Sequence, residues 1–328
     1  MAKYILKRLG ISVLILLLVI FVIYALMRCL PSSYVETMAQ QLSQTPGAKP
    51  YEQWVEQLNA QYGLNMGVVQ GYFIQLKNII TGNFGDSWKY AVPVTQKFAE
   101  VIGVSFVMGA IALVLQLLIA IPLGVLAARR QYSAADYTIT AGALIGISLP
   151  TFFFATILKL VFSVHLGWFD LFGLVGRDFE QLSAWGRILD MARHLVLPIA
   201  TMVVISIGSL MRYTRTNMLE VLSADYIRTA RAKGVGESAV VGQHAFRNTL
   251  IPLVTIVGGN LPGLFSGALI TETLFAIPGI GYTSYQAMVA GDIPFSIFYL
   301  TFLAALTLLG NLISDIAYAI VDPRVRLS

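Results

Sequence analysis

The sequence predicts an all-α integral membrane protein with six transmembrane helices and with both termini in the cytoplasm. Its 328 residues are 57% hydrophobic and only 12% charged, whereas an average soluble domain carries about 25% charged residues. Too few charges are present to cover a water-soluble surface, which excludes a soluble enzyme. A transmembrane helix needs roughly 20 mostly apolar residues. Six stretches meet this requirement: about 9–27, 101–127, 137–164, 195–211, 251–277 and 296–320.

The basic residues set the predicted orientation. Lys3, Lys7 and Arg8 precede the first apolar stretch, and no small-residue cleavage site follows it, so we expect a retained first span. With this end in the cytoplasm, Arg129, Arg130 and the basic residues between spans four and five also lie inside, as the positive-inside rule requires. The net charge of +5 does not indicate nucleic-acid binding, because the basic residues lie beside apolar runs and not among exposed aromatic residues.

The spans divide the chain into three predicted regions. Residues 1–30 hold the first transmembrane helix, 31–100 form an extracytoplasmic loop region, and 101–328 form a five-helix core. Small residues recur at four-residue spacing in the core, as in Gly142-x-x-x-Gly146 and Gly259-x-x-x-Gly263. This spacing predicts close helix packing, with a bend of the fifth span at Pro262-Gly263 as the alternative.

The predicted cytoplasmic loop 213–250 is the most charged part of the chain. Asp225 can cap a helix that runs to Lys233, Gly234 and Gly236 then break it, and a second short helix covers about 237–246 before Pro252 opens span five. From the residues alone, two interpretations are equally supported. The loop either docks onto a cytoplasmic partner or anchors the chain at the lipid headgroups.

Two segments of this loop carry a resemblance to a known family. Tyr226-Ile-Arg-Thr-Ala-Arg-Ala-Lys-Gly234, followed by Arg247-Asn-Thr-Leu-Ile-Pro252, resembles the ATPase-docking loop of ABC importer permeases. Within this group, the loop is most similar to the docking loop of the oligopeptide, dipeptide and nickel permeases. The general pattern has Glu-Ala-Ala where this chain has Arg228-Thr229-Ala230, and its Gly-to-Pro spacing is longer than in sugar permeases, as is usual in the peptide branch.

The resemblance extends over nearly the whole chain. Other segments that resemble the family are Tyr4-Ile-Leu-Lys-Arg8, Tyr62-Gly-Leu64, Gly82-Asn-Phe-Gly-Asp-Ser87, Gly146-Ile-Ser-Leu-Pro150, Glu272-Thr-Leu-Phe-Ala-Ile-Pro-Gly279 and Asp322-Pro-Arg324. Pro31-Ser-Ser33 departs from the Pro-Gly-Asp that relatives often have, which leaves the local geometry after the first span open. The stretch from Phe84 to Tyr90 looks more like the oligopeptide subgroup, so the sequence is identified as most similar to an oligopeptide permease subunit of the B type.

The resemblance implies a type I ABC importer permease fold in a prokaryotic cytoplasmic membrane, embedded among membrane lipids. It also implies three kinds of protein partner: a second homologous permease, two ATPase subunits and an extracytoplasmic peptide-binding protein. No GxxxxGK[ST] motif occurs, so this chain cannot build a P-loop. ATP and magnesium therefore belong to the partner subunits, and we expect neither catalytic residues nor a cofactor in this chain.

The docking function implies a set of loop residues. The second loop helix, around Gly234–His244, is expected to sit in a groove of an ATPase and to act as a lever. The expected docking residues are Arg228, Thr229, Ala230, Arg231, Lys233, Gly234, Gly236, Glu237, His244, Arg247 and Pro252.

Polar groups inside spans are costly and need an explanation. Glu272 can line the path of the transported solute, or it can pair with a basic group as a structural residue. Gln116 is a second candidate for the path. His165, His194 and His244 are scattered and Cys29 is the only cysteine, so no metal site is expected.

Three other functions remain open from the sequence. Dipeptides or nickel chelates can replace oligopeptides as the transported solute within the same family. A secondary transporter working without ATP is the alternative from another class. It predicts internal inverted repeats and paired intramembrane charges, and the sequence shows neither of these features convincingly.

Overall fold

The computed structural model describes residues 2–29, 34–44, 49–61 and 64–321, and every regular element in these ranges is helical. The motifs at Pro31-Ser-Ser33, Tyr62-Gly63 and Asp322-Pro-Arg324 lie outside the described residues. The α-helices are α1 (Ala2–Cys29), α2 (Tyr34–Ser43), α3 (Tyr51–Gln61), α4 (Val68–Ile80), α5 (Val94–Arg129), α6 (Ala134–Ser148), α7 (Thr151–Leu158), α8 (Ala184–Leu222), α9 (Asp225–Ala232), α10 (Glu237–Ala239), α11 (Arg247–Asn260), α12 (Leu269–Phe275), α13 (Ile280–Val289) and α14 (Ile293–Val321).

Shorter helical segments complete the described part of the chain. Two are π-helical, Lys159–His165 and Val240–Phe246, and two are 3-10 helices, Phe179–Gln181 and Leu261–Phe265. Four helices are long and apolar enough to cross a membrane, or up to six if each of two interrupted helix pairs counts as one span. The chain is therefore an all-helical, multi-pass membrane protein. The count of six spans, and the side on which each terminus lies, stay predictions.

The third predicted span is a bent pair of helices. Helix α6 ends at Ser148, α7 begins at Thr151, and the two axes differ by 104°. Pro150 explains the break, because its ring excludes the α conformation at the preceding residue and it has no N–H to donate. Leu149 accordingly has an extended backbone, with ψ at 127°. The third predicted span, 137–164, is thus broken at the proline that the sequence places inside it.

The fifth predicted span is also interrupted. Helix α11 ends at Asn260, a 3-10 turn containing Pro262 follows, and the chain becomes α-helical again only at Leu269. Gly267 supplies a φ of +76° between the two helical parts, which a residue with a side chain rarely adopts. The break thus lies at the Pro262 region that the sequence indicated.

The close helix packing lies mostly around α8. A Cβ added at Gly208 would lie 2.5 Å from the Ala143 carbonyl oxygen, and one at Gly146 would lie 3.0 Å from that of Val204. At Gly142, Gly259 and Gly263 an added Cβ would meet no atom within 4 Å. The prediction of close packing is thus confirmed at Gly146 of α6, and at the other three glycines it stays a prediction.

The described chain forms two compact units. The first comprises residues up to Gly103 together with those from Ile280 onward, and the second runs from Val104 to Gly279. In the first unit, α1 and α14 pack together around Tyr24, Tyr72 and Ile297, while residues 84–94 at the start of α5 and before it pack on α13 and α14. In the second unit, α8 supplies residues to three apolar clusters. The predicted division at residues 30 and 100 stays a prediction.

Asp292 fixes the outer segment of the first unit. Its buried carboxylate accepts hydrogen bonds from the Ser87 hydroxyl at 2.5 Å, from the Lys89 backbone N–H at 3.1 Å and from the Phe295 backbone N–H at 3.1 Å. The last bond caps the N-terminus of α14. The pKa of Tyr90 is raised to about 12, mainly by burial and to a smaller extent by the charges of Asp292 and Tyr282. The Gly82–Ser87 motif is thus held to the start of α14 by one carboxylate.

In the second unit, α6 and α8 are joined by a buried ion pair. The guanidinium of Arg215 donates to both carboxylate oxygens of Asp136, each at 2.7 Å. The Tyr132 backbone N–H and the Thr140 hydroxyl also donate to this carboxylate. Because a buried charge is stable only when it is paired and hydrogen-bonded, this contact fixes the register of α6 against α8.

Replacing Asp292 with Ala is expected to destabilise the first unit by about 2–4 kcal/mol, since α14 loses its cap and two buried donors lose their acceptor. Thermal or urea denaturation of the purified complex measures this loss. Asp86→Ala is the matched control, because Asp86 is an exposed aspartate in the same segment, next to Ser87; it is expected to change stability by less than about 0.5 kcal/mol. Equal stability of the two variants would contradict the assigned role.

Candidate functional site

The predicted docking segment begins with the short helix α9, which ends in a Schellman motif. Gly234 has a φ of +81°, its N–H donates to the Arg231 carbonyl at 3.0 Å, and the Val235 N–H donates to the Ala230 carbonyl at 3.2 Å. This pair of bonds satisfies carbonyls that a helix end leaves free, and it needs a residue that tolerates the left-handed conformation. The bounds of the helix predicted from Asp225 to Lys233, and its break at glycine, are confirmed to within one residue. The predicted capping role of Asp225 is wrong, because Asp225 is the first helical residue and the N-cap is Ala224, with no side-chain cap hydrogen bond.

An ion pair holds the two sides of this turn together. The Arg231 guanidinium donates to both carboxylate oxygens of Glu237, at 3.1 and 2.8 Å. The hydrogen bond from Arg231 lowers the pKa of the Glu237 carboxyl, and the same bond raises the pKa of Arg231. A lowered carboxyl pKa means that the pair contributes at pH values above the ordinary Glu range and is lost as the pH falls through the lowered pKa. The bidentate geometry fixes the turn angle more firmly than a single bond does.

Beyond the turn, the chain is helical without a break into the membrane region. Helix α10 starts at Glu237, passes into the π-helical segment at Val240, and continues as α11 from Arg247 to Asn260. A separate second loop helix over 237–246 was expected, with Pro252 opening span five. This expectation is wrong about the boundary, because Pro252 lies inside α11, where its side chain is not described. The loop helix and the following span are one continuous helical element.

The docking segment is packed onto the ends of α5 and α8. Ile227, Val240 and Ala245 are fully buried in one apolar cluster with Ala128 and Met218. The Asn248 amide also donates to the Tyr226 hydroxyl at 3.1 Å, which joins α9 to α11. The inner face of the segment is therefore part of the hydrophobic core of the second unit, and a force applied to the segment reaches α5, α8 and α11.

The outer face of the segment presents the polar residues that the sequence singled out. Ala230 is half-buried against the apolar cluster, while the other predicted docking residues of known exposure lie at the surface. These surface residues are Arg228, Thr229, Arg231, Lys233, Gly234, Gly236, Glu237, His244 and Arg247. Apart from Arg231 and Glu237, the charged residues of this set keep their charged groups exposed to solvent. This includes Arg228, whose 3.4 Å contact with Asp225 joins two exposed side chains. One face is thus apolar and internal, and the opposite face is basic and available to a partner.

Glu272 is fully buried near the start of α12. Its carboxylate accepts hydrogen bonds from the Ser105 hydroxyl at 2.7 Å and from the Ala268 backbone N–H at 2.9 Å. A Cβ added at Gly279 would lie within 2.3–2.5 Å of the carboxylate atoms, so glycine is required there to make room for it. In the described conformation Glu272 is an internal structural residue and does not line an open path.

Lys159 caps the other end of α12. Its ammonium group donates to the Leu274 carbonyl at 2.5 Å and lies 3.8 Å from the centre of the Phe172 ring. The sequence did not indicate this contact, because Leu274 is distant along the chain. Both ends of this seven-residue helix are therefore held by a charged side chain.

Gln116 lies half-buried on α5. Its amide donates to the Ser206 carbonyl of α8 at 3.0 Å, and it borders a groove that α5, α8 and α11 share. Sequence analysis did not identify the other polar residues of this groove, which are Ser209, Tyr213 and Asn260.

The three histidines differ in their burial and contacts. His194 is buried, with its Nε2 3.4 Å from an Asp170 carboxylate oxygen and its Nδ1 2.8 Å from the Asp190 carbonyl oxygen. His165 and His244 are exposed. Within the described ranges, no group of three or more His, Cys, Asp or Glu side chains is placed to hold a metal ion.

Comparison with known proteins gives consistent matches. Residues 120–327 match the family described as "Binding-protein-dependent transport system inner membrane component". The chain is 38% identical to the oligopeptide transport system permease protein AppB of Bacillus subtilis, over 99% of this chain and 100% of that protein. It is 35% identical to a putative peptide transport system permease protein of Brucella abortus and 32% identical to the dipeptide transport system permease protein DppB of Escherichia coli, each over 99% of both chains.

Gly234→Ala is expected to destabilise the docking segment by about 1–2 kcal/mol, the cost of placing a side chain in the left-handed conformation. Gly242→Ala is the matched control, because Gly242 is helical and an added Cβ there would meet no atom within 4 Å. Hydrogen exchange of residues 225–236 in the purified complex measures the difference. Faster exchange in Gly234→Ala alone is the expected result, and equal exchange in both variants would refute the assigned turn.

Proposed function

Because this chain belongs to the family of binding-protein-dependent transport system inner membrane components, we propose that it is one of two membrane-spanning subunits of an ATP-driven importer of oligopeptides. The family consists of transport permeases and not of enzymes. The proposed substrate class rests on relatives named as oligopeptide and dipeptide permeases, which match this chain over nearly its full length. Dipeptides are the second candidate, which the 32% identity to a dipeptide permease supports.

The construction of the docking segment is the observation that carries this proposal. A loop that only anchors a protein at lipid headgroups needs an amphipathic surface and no fixed connection to the spans. Here the segment is buried by one face, closed by a bidentate ion pair, and continuous with α11. A rigid element of this kind transmits displacement, whereas a flexible anchor does not.

The proposed mechanism follows from these connections. An ATPase subunit binds the basic outer face of the segment through Arg228, Lys233 and Arg247, by pairing with acidic residues. Closure of the ATPase pair on ATP displaces the segment, and α11 carries this displacement into the membrane. The transport path then changes from inward-open to outward-open, and the peptide arrives from an extracytoplasmic binding protein.

The rest of the assembly is part of the same proposal. Two ATPase subunits supply ATP hydrolysis with its magnesium, and a second homologous permease completes the path. Both termini of this chain lie in the cytoplasm, and the six-span arrangement places the docking segment on that side of a prokaryotic cytoplasmic membrane. Glu272 acts as a structural residue in this proposal, because its side chain has no exposed surface.

Reconstitution tests this function. The chain is expressed with the genes that adjoin it, purified through a tag, and placed in lipid nanodiscs for ATPase assays and in proteoliposomes for uptake of labelled peptides. Co-purified ATPase subunits whose hydrolysis rises with peptide-loaded binding protein are the expected result. Peptide uptake by the isolated chain without ATPase subunits would contradict the proposal and would support a secondary transporter.

Charge exchange across the ion pair tests the lever. Arg231→Glu places two carboxylates 6 residues apart in one turn, and it is expected to uncouple hydrolysis from uptake because the turn opens. Adding Glu237→Arg to this variant restores an ion pair of reversed polarity and is expected to recover part of the coupling.

The control for this exchange is Arg187→Glu, because Arg187 has the same side-chain exposure of 41% and also pairs with a glutamate, Glu180. It lies outside the docking segment and is expected to leave the ratio of peptide uptake to ATP hydrolysis unchanged. Normal coupling in Arg231→Glu, in a complex that retains all its subunits, would refute the lever.

A further inference from the structure

A groove in the second unit has the wrong chemistry for a surface that faces lipid. It has a volume of about 210 Å³ and lies between α5, α8 and α11. Four of its eight side chains are polar and uncharged, Gln116, Ser209, Tyr213 and Asn260, and the other four are apolar, Leu113, Leu117, Leu210 and Ile256. Charged residues are not among those that line it.

The groove is expected to extend into the membrane interior at Gln116, whereas Tyr213, which directly follows Arg212, is expected at its cytoplasmic end. Gln116 is 13 residues before Arg129, the last residue of α5, which corresponds to about 20 Å along a helix. The hydrocarbon core is about 30 Å thick, so Gln116 is expected near its middle. Uncompensated polar groups at this depth are unfavourable in contact with lipid.

The remaining surface of α5 has the composition expected for lipid contact. Val107, Ile111, Val114 and Leu118 are exposed and follow each other at intervals of four, three and four residues, which places them along one face of the helix. Gln116 is two residues from Val114 and therefore lies on a different face. The same helix thus presents an apolar stripe on one side and a polar groove residue on another.

The groove residues also keep unused hydrogen-bonding capacity. Gln116 uses its amide N–H on the Ser206 carbonyl, and the Ser209 hydroxyl donates to the same carbonyl at 3.0 Å. In the described part of the chain, the Gln116 side-chain oxygen, the Tyr213 hydroxyl and the Asn260 amide are not engaged in hydrogen bonds. The Gln116 oxygen can accept a hydrogen bond at the surface of the groove, and the Tyr213 hydroxyl and the Asn260 amide can both donate and accept.

From these observations we infer that the groove is the part of the transport path on which this subunit binds the peptide backbone, an inference that rests on the function proposed above. Each peptide unit brings one N–H and one C=O, which match amide and hydroxyl side chains without regard to sequence. A neutral lining neither repels nor traps acidic or basic peptide side chains. A dry apolar helix of another subunit would instead leave these polar groups unpaired.

The groove is connected to the docking segment at two points. Asn260 is the last residue of α11, whose first turn adjoins the π-helical part of the segment. Tyr213 is five residues before Met218, which is buried in the apolar cluster beneath the segment. Movement of the segment therefore displaces groove residues directly, which supplies a physical means of binding and releasing the peptide.

Water access to the groove is the first test, and it uses the complete complex in nanodiscs. Cys29 is first replaced by Ser, and Ser209→Cys is compared with Val114→Cys, which lies at an exposed apolar position of the same unit. Because only the hydrated thiolate reacts, a charged methanethiosulfonate reagent is expected to modify Ser209→Cys about tenfold faster in at least one nucleotide state. A pentapeptide delivered by its binding protein is expected to slow this modification.

Removal of one hydroxyl is the second test. Tyr213→Phe is expected to lower peptide uptake at subsaturating peptide about fivefold, the factor for one neutral hydrogen bond. Tyr137→Phe is the matched control, because Tyr137 is exposed on α6 and outside the groove; it is expected to have no effect on uptake.

The outcomes separate the two proposals. The groove assignment alone would be overturned by the following results in a complex whose unmodified form takes up peptide normally. Ser209→Cys is as unreactive as Val114→Cys in every nucleotide state, and Tyr213→Phe takes up peptide as well as Tyr137→Phe. Crosslinking of Ser209→Cys to the second permease without any reaction with the aqueous reagent would also overturn it. Failure of the unmodified complex to take up peptide with ATP would refute the proposed function and the groove with it.

Discussion

Helix interruptions within a membrane create backbone N–H and C=O groups that lipid cannot satisfy, so the protein itself has to provide partners for them. Helix α12 shows how this chain meets that constraint. Glu272 accepts from the Ala268 N–H at the start of the helix, and Lys159 donates to the Leu274 carbonyl near its end. An acidic group at the N-terminus and a basic group at the C-terminus also match the helix dipole.

Because the backbone groups at its ends have hydrogen-bond partners, the short helix α12 is stable in place of a straight span. Gly279 leaves space for the Glu272 carboxylate, and Ser105 of α5 supplies a further donor to it. These contacts join α12 to a long helix of the same unit. The same principle acts outside the spans, where Asp292 caps α14 and holds the Ser87 turn. In each case one carboxylate ends a helix and joins it to a segment that is distant in sequence.

Helix α8 gives these interruptions a fixed frame. Its 39 residues are continuous, its glycine at 208 allows close approach of α6, and its Arg215 forms the ion pair with Asp136. The same helix packs on the docking segment through Met218. A continuous helix beside interrupted ones allows the interrupted elements to move while their reference frame stays in place.

Local signals could be predicted from the sequence, and distant contacts could not. The end of α9 before Gly234 was predictable because a left-handed glycine acts within a few residues. Pro150 carried an equally local signal for the break of the third span. The burial of Glu272 depends on Ser105, 167 positions away, and no spacing in the sequence indicates it.

The boundary between loop and span was harder to predict for another physical reason. A π-helical segment contains one extra residue per turn, and the packing of Val240 and Ala245 against α5 and α8 favours it over a break. Proline at 252 is a local signal for a helix start, yet the continuous helix passes through it, as neighbouring helices in membranes permit. Among the polar groove residues, Ser209 and Tyr213 lie near the end of an apolar run. Polar residues are also common at the ends of spans, so the sequence alone did not show that these two line a groove.

The continuity of α11 joins the two functional regions of the second unit. One end of the helix lies at the basic outer face of the docking segment, and the other end carries Asn260 into the polar groove. Fourteen residues correspond to about 21 Å, so an axial or tilting movement at the docking end reaches the membrane interior without an intervening hinge. The 3-10 turn after Asn260 then separates this moving helix from α12, which is held at both ends. In the proposed function, α11 moves between the face proposed to bind the ATPase and the groove proposed to bind the peptide, next to α12, which is held at both ends.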